Sequence, residues 1–147
     1  MKATEISLSA LDVEWRRLEV IAQNLANSST VRSADGSVYK ARHLISGPRG
    51  DFKAMLETGS AGSAVSSSQL QGVQVYGIEV DERIPRYVYD PQNPQADADG
   101  MVPLSDVNEA AEMTALIKTA RAYEANLVAL NIAKQMYAKA LEIGRAG

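Results

Sequence analysis

Several stretches of the chain carry residue types that could support chemistry. One is Gln95-Ala96-Asp97-Ala98-Asp99-Gly100, with Asp106 six residues beyond. Its spacing partly follows a calcium loop, in which alternating oxygen ligands surround the ion and a closing Glu supplies two oxygens. Here the first ligand place holds Gln95 and the last holds the shorter Asp106, while Pro91 and Pro94 forbid the helix that should precede such a loop. A solvated acidic loop is the better reading. Asp97 and Asp99 could also act as paired carboxylates, but no apolar wall stands near them to raise either pKa for acid–base work. His43 is the only histidine, and cysteine is absent. A lone His beside Ser residues, with no third group to orient it, does not make a nucleophile–base pair; it reads as a surface residue at a strand end. Gly59-Ser60-Ala61-Gly62 lacks the Gly-Lys-Ser/Thr ending of a phosphate loop and reads as linker. Asn27-Ser28-Ser29 matches the glycosylation sequon by chance, since no export signal precedes it. The expectation is therefore no catalytic residue, no cofactor and no metal.

The totals exclude other classes. With 15 basic and 18 acidic residues the net charge is −3, and no basic cluster marks a nucleic-acid partner. No apolar run approaches the ~20 residues that a membrane span needs, and the near balance of charges argues against a membrane-surface helix. Asp12, Glu14, Arg16, Arg17 and Glu19 break any N-terminal signal peptide. Without cysteine there is neither a disulfide framework nor a thiolate metal site. The length suits one domain with room for an appended piece. One Trp, one Phe and six Tyr leave little bulky material for a thick core.

What remains is helical periodicity. Residues 109–144 contain no proline and no internal glycine, and Met113, Leu116, Ala120, Tyr123, Leu127 and Leu130 recur at alternating steps of three and four, followed by Tyr137 and Leu141 after a break at Lys134. That spacing places one residue per turn on a single helical seam. Such a helix would be roughly 54 Å long, against a radius of gyration of about 15 Å for a globule of this size. Residues 5–26 repeat the rhythm with Leu8, Leu11, Trp15, Leu18, Ala22 and Leu25, with Thr4 as the expected N-cap and Asn27-Ser28-Ser29-Thr30 as the stop. Between the helices, Asp35-Gly36 signals a turn, and strands are expected at 38–42, 72–80 and 86–89. Residues 58–68 read as flexible Gly/Ser linker, and 92–103 as extended loop. The fold class is mainly α with a small β-rich insert. Residues 1–30 and 105–147 form a coiled-coil-like terminal domain, and 31–104 form the insert, with a flexible loop around 58–71.

The seams could close on each other as an intramolecular hairpin or meet other molecules. Their unequal lengths, and the alanines flanking the C-terminal seam at 110, 111, 115, 122, 125, 129 and 133, favour several neighbours over one. A cytoplasmic coiled-coil adaptor or export chaperone would carry the same pattern.

Ile21-Ala22-Gln23-Asn24-Leu25-Ala26-Asn27-Ser28-Ser29-Thr30 resembles the IAxNLANxxT signature of the bacterial flagellar rod and hook family. Val88-Tyr89-Asp90-Pro91, with Pro94, Asp97, Ala98, Asp99 and Gly100, resembles the VYDPxHPDADxxGYV block of its C-type proximal-rod subunits. Arg121-Ala122-Tyr123-Glu124-Ala125-Asn126, Asn131 and the run from Lys139 to Arg145 look like their closing helix. Asn93 and Met101 replace the usual His and Tyr, and 106–110 is more polar than the family's entry to that helix. The resemblance marks Asn24, Asn27, Asp90, Pro91, Asp97, Tyr123, Asn126 and Asn131 as motif residues. It implies a non-enzymatic subunit exported by the flagellar type III apparatus. Such a subunit polymerises with itself and with other proximal and distal rod proteins, between the MS ring with its export gate and the hook. Leu8, Leu11, Trp15, Leu18, Leu25, Met113, Leu116, Tyr123, Leu127, Leu130, Tyr137 and Leu141 would then be subunit-packing residues.

Overall fold

A computed structural model describes residues 2–30, 37–50 and 72–145. The order is α1 (Lys2–Ala26), β1 (Arg42–Pro48), β2 (Val73–Val80), β3 (Arg86–Tyr89), β4 (Met101–Leu104) and α2 (Glu109–Arg145). The periodicity thus predicted the architecture: two long terminal helices packed together, with a small antiparallel β insert between them in sequence. The Asp35-Gly36 turn and the 58–68 linker lie outside the described residues.

The strands pair as β1–β2 and β3–β4. Arg49 N–H donates to Gly72 O and Asp81 N–H to Ala41 O, both at 2.8 Å. These bonds close the two ends of β1–β2 and make the pair antiparallel. In β3–β4 the antiparallel register runs from Arg86↔Leu104 to Tyr89↔Met101.

Three local expectations are corrected. Thr4 is not a cap: α1 already runs from Lys2, because Lys, Ala and Glu around Thr4 favour helix. Residues 38–41 are not strand; β1 starts at Arg42 and extends through Gly47-Pro48, which close the strand instead of interrupting the chain. The end of the supposed loop at 92–103 is β4, with Val102 2% exposed. Pro103 is compatible with that strand because an edge position does not need its N–H.

α2 begins where Asn108 caps it. Asn108 Oδ1 accepts from Ala111 N–H at 3.1 Å, and its carbonyl accepts from Glu112 N–H at 2.9 Å. Glu109 and Glu112 in the first turn suit the positive end of the helix dipole.

The described residues form two units. In the unit made of 2–15, 46–50, 72–76 and 121–145, Val13 and Leu130 are buried. The rings of Trp15 and Tyr123 lie 6.3 Å apart and tilted by 51°. Ser9 of α1 starts β2 there: its Oγ accepts from Val73 N–H at 3.1 Å while donating to Ile6 O at 2.7 Å. Gly72 has φ +91°, and a Cβ at that position would run into Ser9. In the unit made of 16–30, 37–45 and 77–120, Val20, Ile21, Ala41 and Val102 are buried together with the polar Asn24, Ser105, Glu112 and Thr119.

Candidate assembly interface

Half of the twelve subunit-packing residues expected on the two seams are exposed. Leu8, Trp15, Met113, Leu127, Tyr137 and Leu141 are exposed, Trp15 at 54%. Leu11, Leu18, Leu25, Leu116 and Tyr123 are half-buried, and only Leu130 is buried. Within α1 the buried stripe is Val13, Val20, Ile21 and Asn24 instead. A reading that followed the leucines passed over it because Asn24 is polar and Val20-Ile21 flank the seam.

The uncovered surface is most pronounced along the second half of α2. Val128, Ile132, Met136, Tyr137, Leu141 and Ile143 are all exposed, Met136 at 68% and Ile143 at 76%. Such a helix, apolar on more than one side, is usually found buried. An open groove of ≈ 610 Å³ is lined by Thr4, Glu5 and Leu8 of α1 and by Ala133, Lys134, Met136 and Tyr137 of α2. Beyond the groove α2 continues to Arg145 as fully exposed helix, carrying a Lys139–Glu142 ion pair at 2.8 Å. Uncovered apolar surface on this scale marks a contact site for other protein.

The motif residues near α1 do a different job. Asn24 is 0% exposed. Its Nδ2 donates to Arg42 O at 2.8 Å, and its Oδ1 accepts from Arg42 N–H at 2.9 Å and from the Tyr39 hydroxyl at 3.0 Å. The side-chain amide therefore binds the Arg42 backbone as a neighbouring strand would, and satisfies both polar groups in a buried place. Burial pushes the Tyr39 hydroxyl pKa up; Arg42, stacked 5.8 Å over its ring, opposes this, and Glu112 adds to it. Asn27 closes α1: its N–H and its Nδ2 both donate to Gln23 O, at 3.1 and 2.8 Å. The Ser28 hydroxyl lies within bonding distance of both Leu25 O and Glu109 Oε1.

Asp90, Pro91 and Asp97 shape the loop between β3 and β4. Asp90 N–H donates to Gly100 O at 2.9 Å. Asp97 Oδ1 accepts from Asp99 N–H at 3.0 Å and from Met101 N–H at 2.8 Å, while Asp97 N–H donates to Met101 O at 2.9 Å. Gly100 has φ +74°, and a Cβ there would stand 3.0 Å from the Tyr89 ring and 3.2 Å from Pro91. The acidic stretch that resembles a calcium loop is thus a turn held by the Asp97 carboxylate together with backbone bonds. Asn126 is half-buried and Asn131 exposed, both on α2.

Asp81 was not singled out in the sequence. Its carboxylate bonds the Arg83 side chain (Nε at 2.7 Å) and the Arg83 N–H, which hold its pKa near 2. Arg83 also lies 3.4 Å from Asp106, and His43, exposed near the start of β1, lies 3.7 Å from Asp81. The bend from Asp81 to Arg83 is pinned by this pair.

Long terminal helices with open apolar faces and a small β insert between them suit a structural subunit rather than an enzyme. The family described as flagellar basal body rod FlgEFG protein C-terminal matches residues 98–143. The chain is 35% identical over 145 residues to the flagellar basal-body rod protein FlgC of Bacillus subtilis, covering 95% of each chain. To the same-named protein of Salmonella typhimurium it is 33% identical over 141 residues, covering 96% of this chain and 95% of the other. To that of Borreliella burgdorferi the figures are 34% over 145 residues, with 94% and 93% covered. The chain belongs to the flagellar basal-body rod protein FlgC family. Its place is the flagellar basal body, and its role there is structural.

Proposed function

We propose that this chain enters the rod by laying the exposed faces of α1 and α2 against neighbouring subunits, its own copies and other rod proteins alike. The uncovered apolar surface of α2 from Val128 to Ile143 carries this reading. Contacts of that kind join different patches on successive subunits, and contacts that do not close on themselves build a helix. Burying one Leu-sized side chain contributes roughly 1.5–3 kcal/mol, so several exposed residues per helix outweigh the cost of ordering them. In this reading residues 1–30 and 105–147 form the rod core around the export channel, and 31–104 form the outer insert. The subunit travels unfolded through the type III apparatus, assembles near the MS ring and export gate, and passes motor torque toward the hook without catalysing a reaction.

The test is Leu127→Asp, with Leu18→Asp as companion. Each is expected to abolish rod assembly and swimming while the subunit is still exported. Normal swimming in both strains would refute the helix-packing reading.

A further inference from the structure

Among the described residues, the β3–β4 hairpin has one closed edge and one open edge. The Asp90–Gly100 bond sets the phase of the ladder. In the register of this hairpin, bonded pairs then alternate with non-bonded ones, so Val88↔Val102 and Arg86↔Leu104 exchange ladder bonds. Tyr87↔Pro103 and Tyr89↔Met101 are the non-bonded pairs, and their backbone groups point outward on the two edges. On β4 that edge is closed: Asp97 binds both the N–H and the C=O of Met101, and Pro103 has no N–H to offer. On β3 the outward N–H and C=O of Tyr87 and Tyr89 face an exposed flank, with Tyr89 69% exposed and all four residues of the strand exposed. Edge strands left in this state template the addition of another strand.

We propose that the open edge of β3 pairs antiparallel with β3 of a second copy of this chain, about a two-fold axis at Val88. The flanking prolines select the register. Centring the pair on Tyr87 would set Tyr89 against Pro85, and centring it on Tyr89 would set Tyr87 against Pro91; in either case a tyrosine C=O meets a residue with no N–H. Centring on Val88 places Tyr87 opposite the second copy's Tyr89 and satisfies all the outward groups of both. The same register sets Arg86 opposite Asp90, a cross-strand pair of opposite charge made twice by the symmetry. Val88 then faces its own symmetry mate as a non-bonded pair, the closest approach in an antiparallel ladder. This contact closes on itself, so it makes pairs of subunits and not rods, and it uses neither terminal helix.

The chain has no cysteine, so Val88→Cys introduces a single thiol at the axis, where the Cα separation of about 4.5 Å expected for such a pair suits a disulfide. The full-length variant is oxidised at low protein concentration beside Ile84→Cys, an 81% exposed site outside the paired strand. The expected result is a disulfide-linked dimer forming several-fold faster at position 88. Adding Arg86→Asp slows it, and adding Asp90→Arg to that variant restores it. Sedimentation of Leu127→Asp, compared with Leu127→Asp carrying Arg86→Asp as well, gives the same answer without a new thiol: a weak dimer for the first and monomer for the second. Equal rates at the two thiols, no rescue by the paired charge swap, or cross-linking to another rod protein but not to itself would overturn the proposal. Both sedimentation samples carry Leu127→Asp, so that association through the helices stays out of the comparison; the thiol rates and the charge swap do not bear on the helix-packing reading, which Leu127→Asp addresses separately.

Discussion

Asn24 and the second half of α2 solve opposite problems. Asn24 is fully buried and its amide is matched to named partners, so one side chain joins a helix to the first residue of a strand. Along α2 beyond Val128 the apolar groups are uncovered and Leu130 alone is buried. The first region is finished within the chain; in the proposed helix packing, the second is finished by other molecules. Directional bonds, which tolerate few substitutions, sit where the chain must define its own shape. Non-directional apolar surface, which several different neighbours can cover, sits where it must be shared.

The largest expected effect separates the two. Asn24→Leu removes three hydrogen bonds and takes from the Arg42 N–H and C=O their side-chain partner. That should cost about 3 kcal/mol in urea unfolding followed by circular dichroism. Leu127→Asp, at a 42% exposed site, should change the same measurement by less than about 0.5 kcal/mol although it abolishes assembly. If both variants destabilise the isolated subunit equally, the contrast between the regions is broken.

Next in size is Gly100→Ala. A side chain at φ +74° against the Tyr89 ring should cost about 1–2 kcal/mol. Its amide-exchange signature should be confined to the β3–β4 hairpin, with α2 beyond Val128 unchanged. Faster exchange in that half of α2 would show that the hairpin and the assembly surface are not independent.

The smallest effect is electrostatic. The Asp81 carboxyl has a folded pKa near 2 against an ordinary value of 3.8. Because the folded value is depressed, the Arg83 pair stabilises the chain above the ordinary value, and that contribution disappears as pH falls through the folded one. Asp81→Asn should therefore be slightly less stable than the parent near neutral pH, and the two acid-unfolding curves should converge toward pH 2. A gap that widens on acidification would rule out this pair as its source.

The helices were legible because period and length speak for themselves: 36 residues without proline at alternating steps of three and four leave little else. β2 and β3 announced themselves by β-branched and aromatic residues. β4 did not, because Pro103 and the acidic loop before it imitate extended coil. The start of β1 was misplaced because what orders residues 39–42 is not strand propensity but an amide from α1, a contact 18 residues away that periodicity cannot show. Asn24 was visible as part of a motif, yet nothing in the motif said that its partner is a backbone. Asp97 was weighed as a ligand, while its actual partners are the N–H groups two and four residues ahead. Ser9 and Gly72 carry no signal separately; they meet because the bond from Val73 N–H to Ser9 spans 64 residues of sequence.

The Asn24 joint has one more property. Every group in it is electrically neutral: an amide, a peptide unit and a phenol whose ionisation is pushed further upward. Salt can screen the Arg42 and Glu112 charges beside the Tyr39 ring, but the three bonds themselves join uncharged groups. The Asp81–Arg83 pair depends on charge for its strength; the bonds of the Asn24 joint do not. A subunit of the flagellar basal body thus holds its helix to its strand with a fastening whose bonds carry no formal charge.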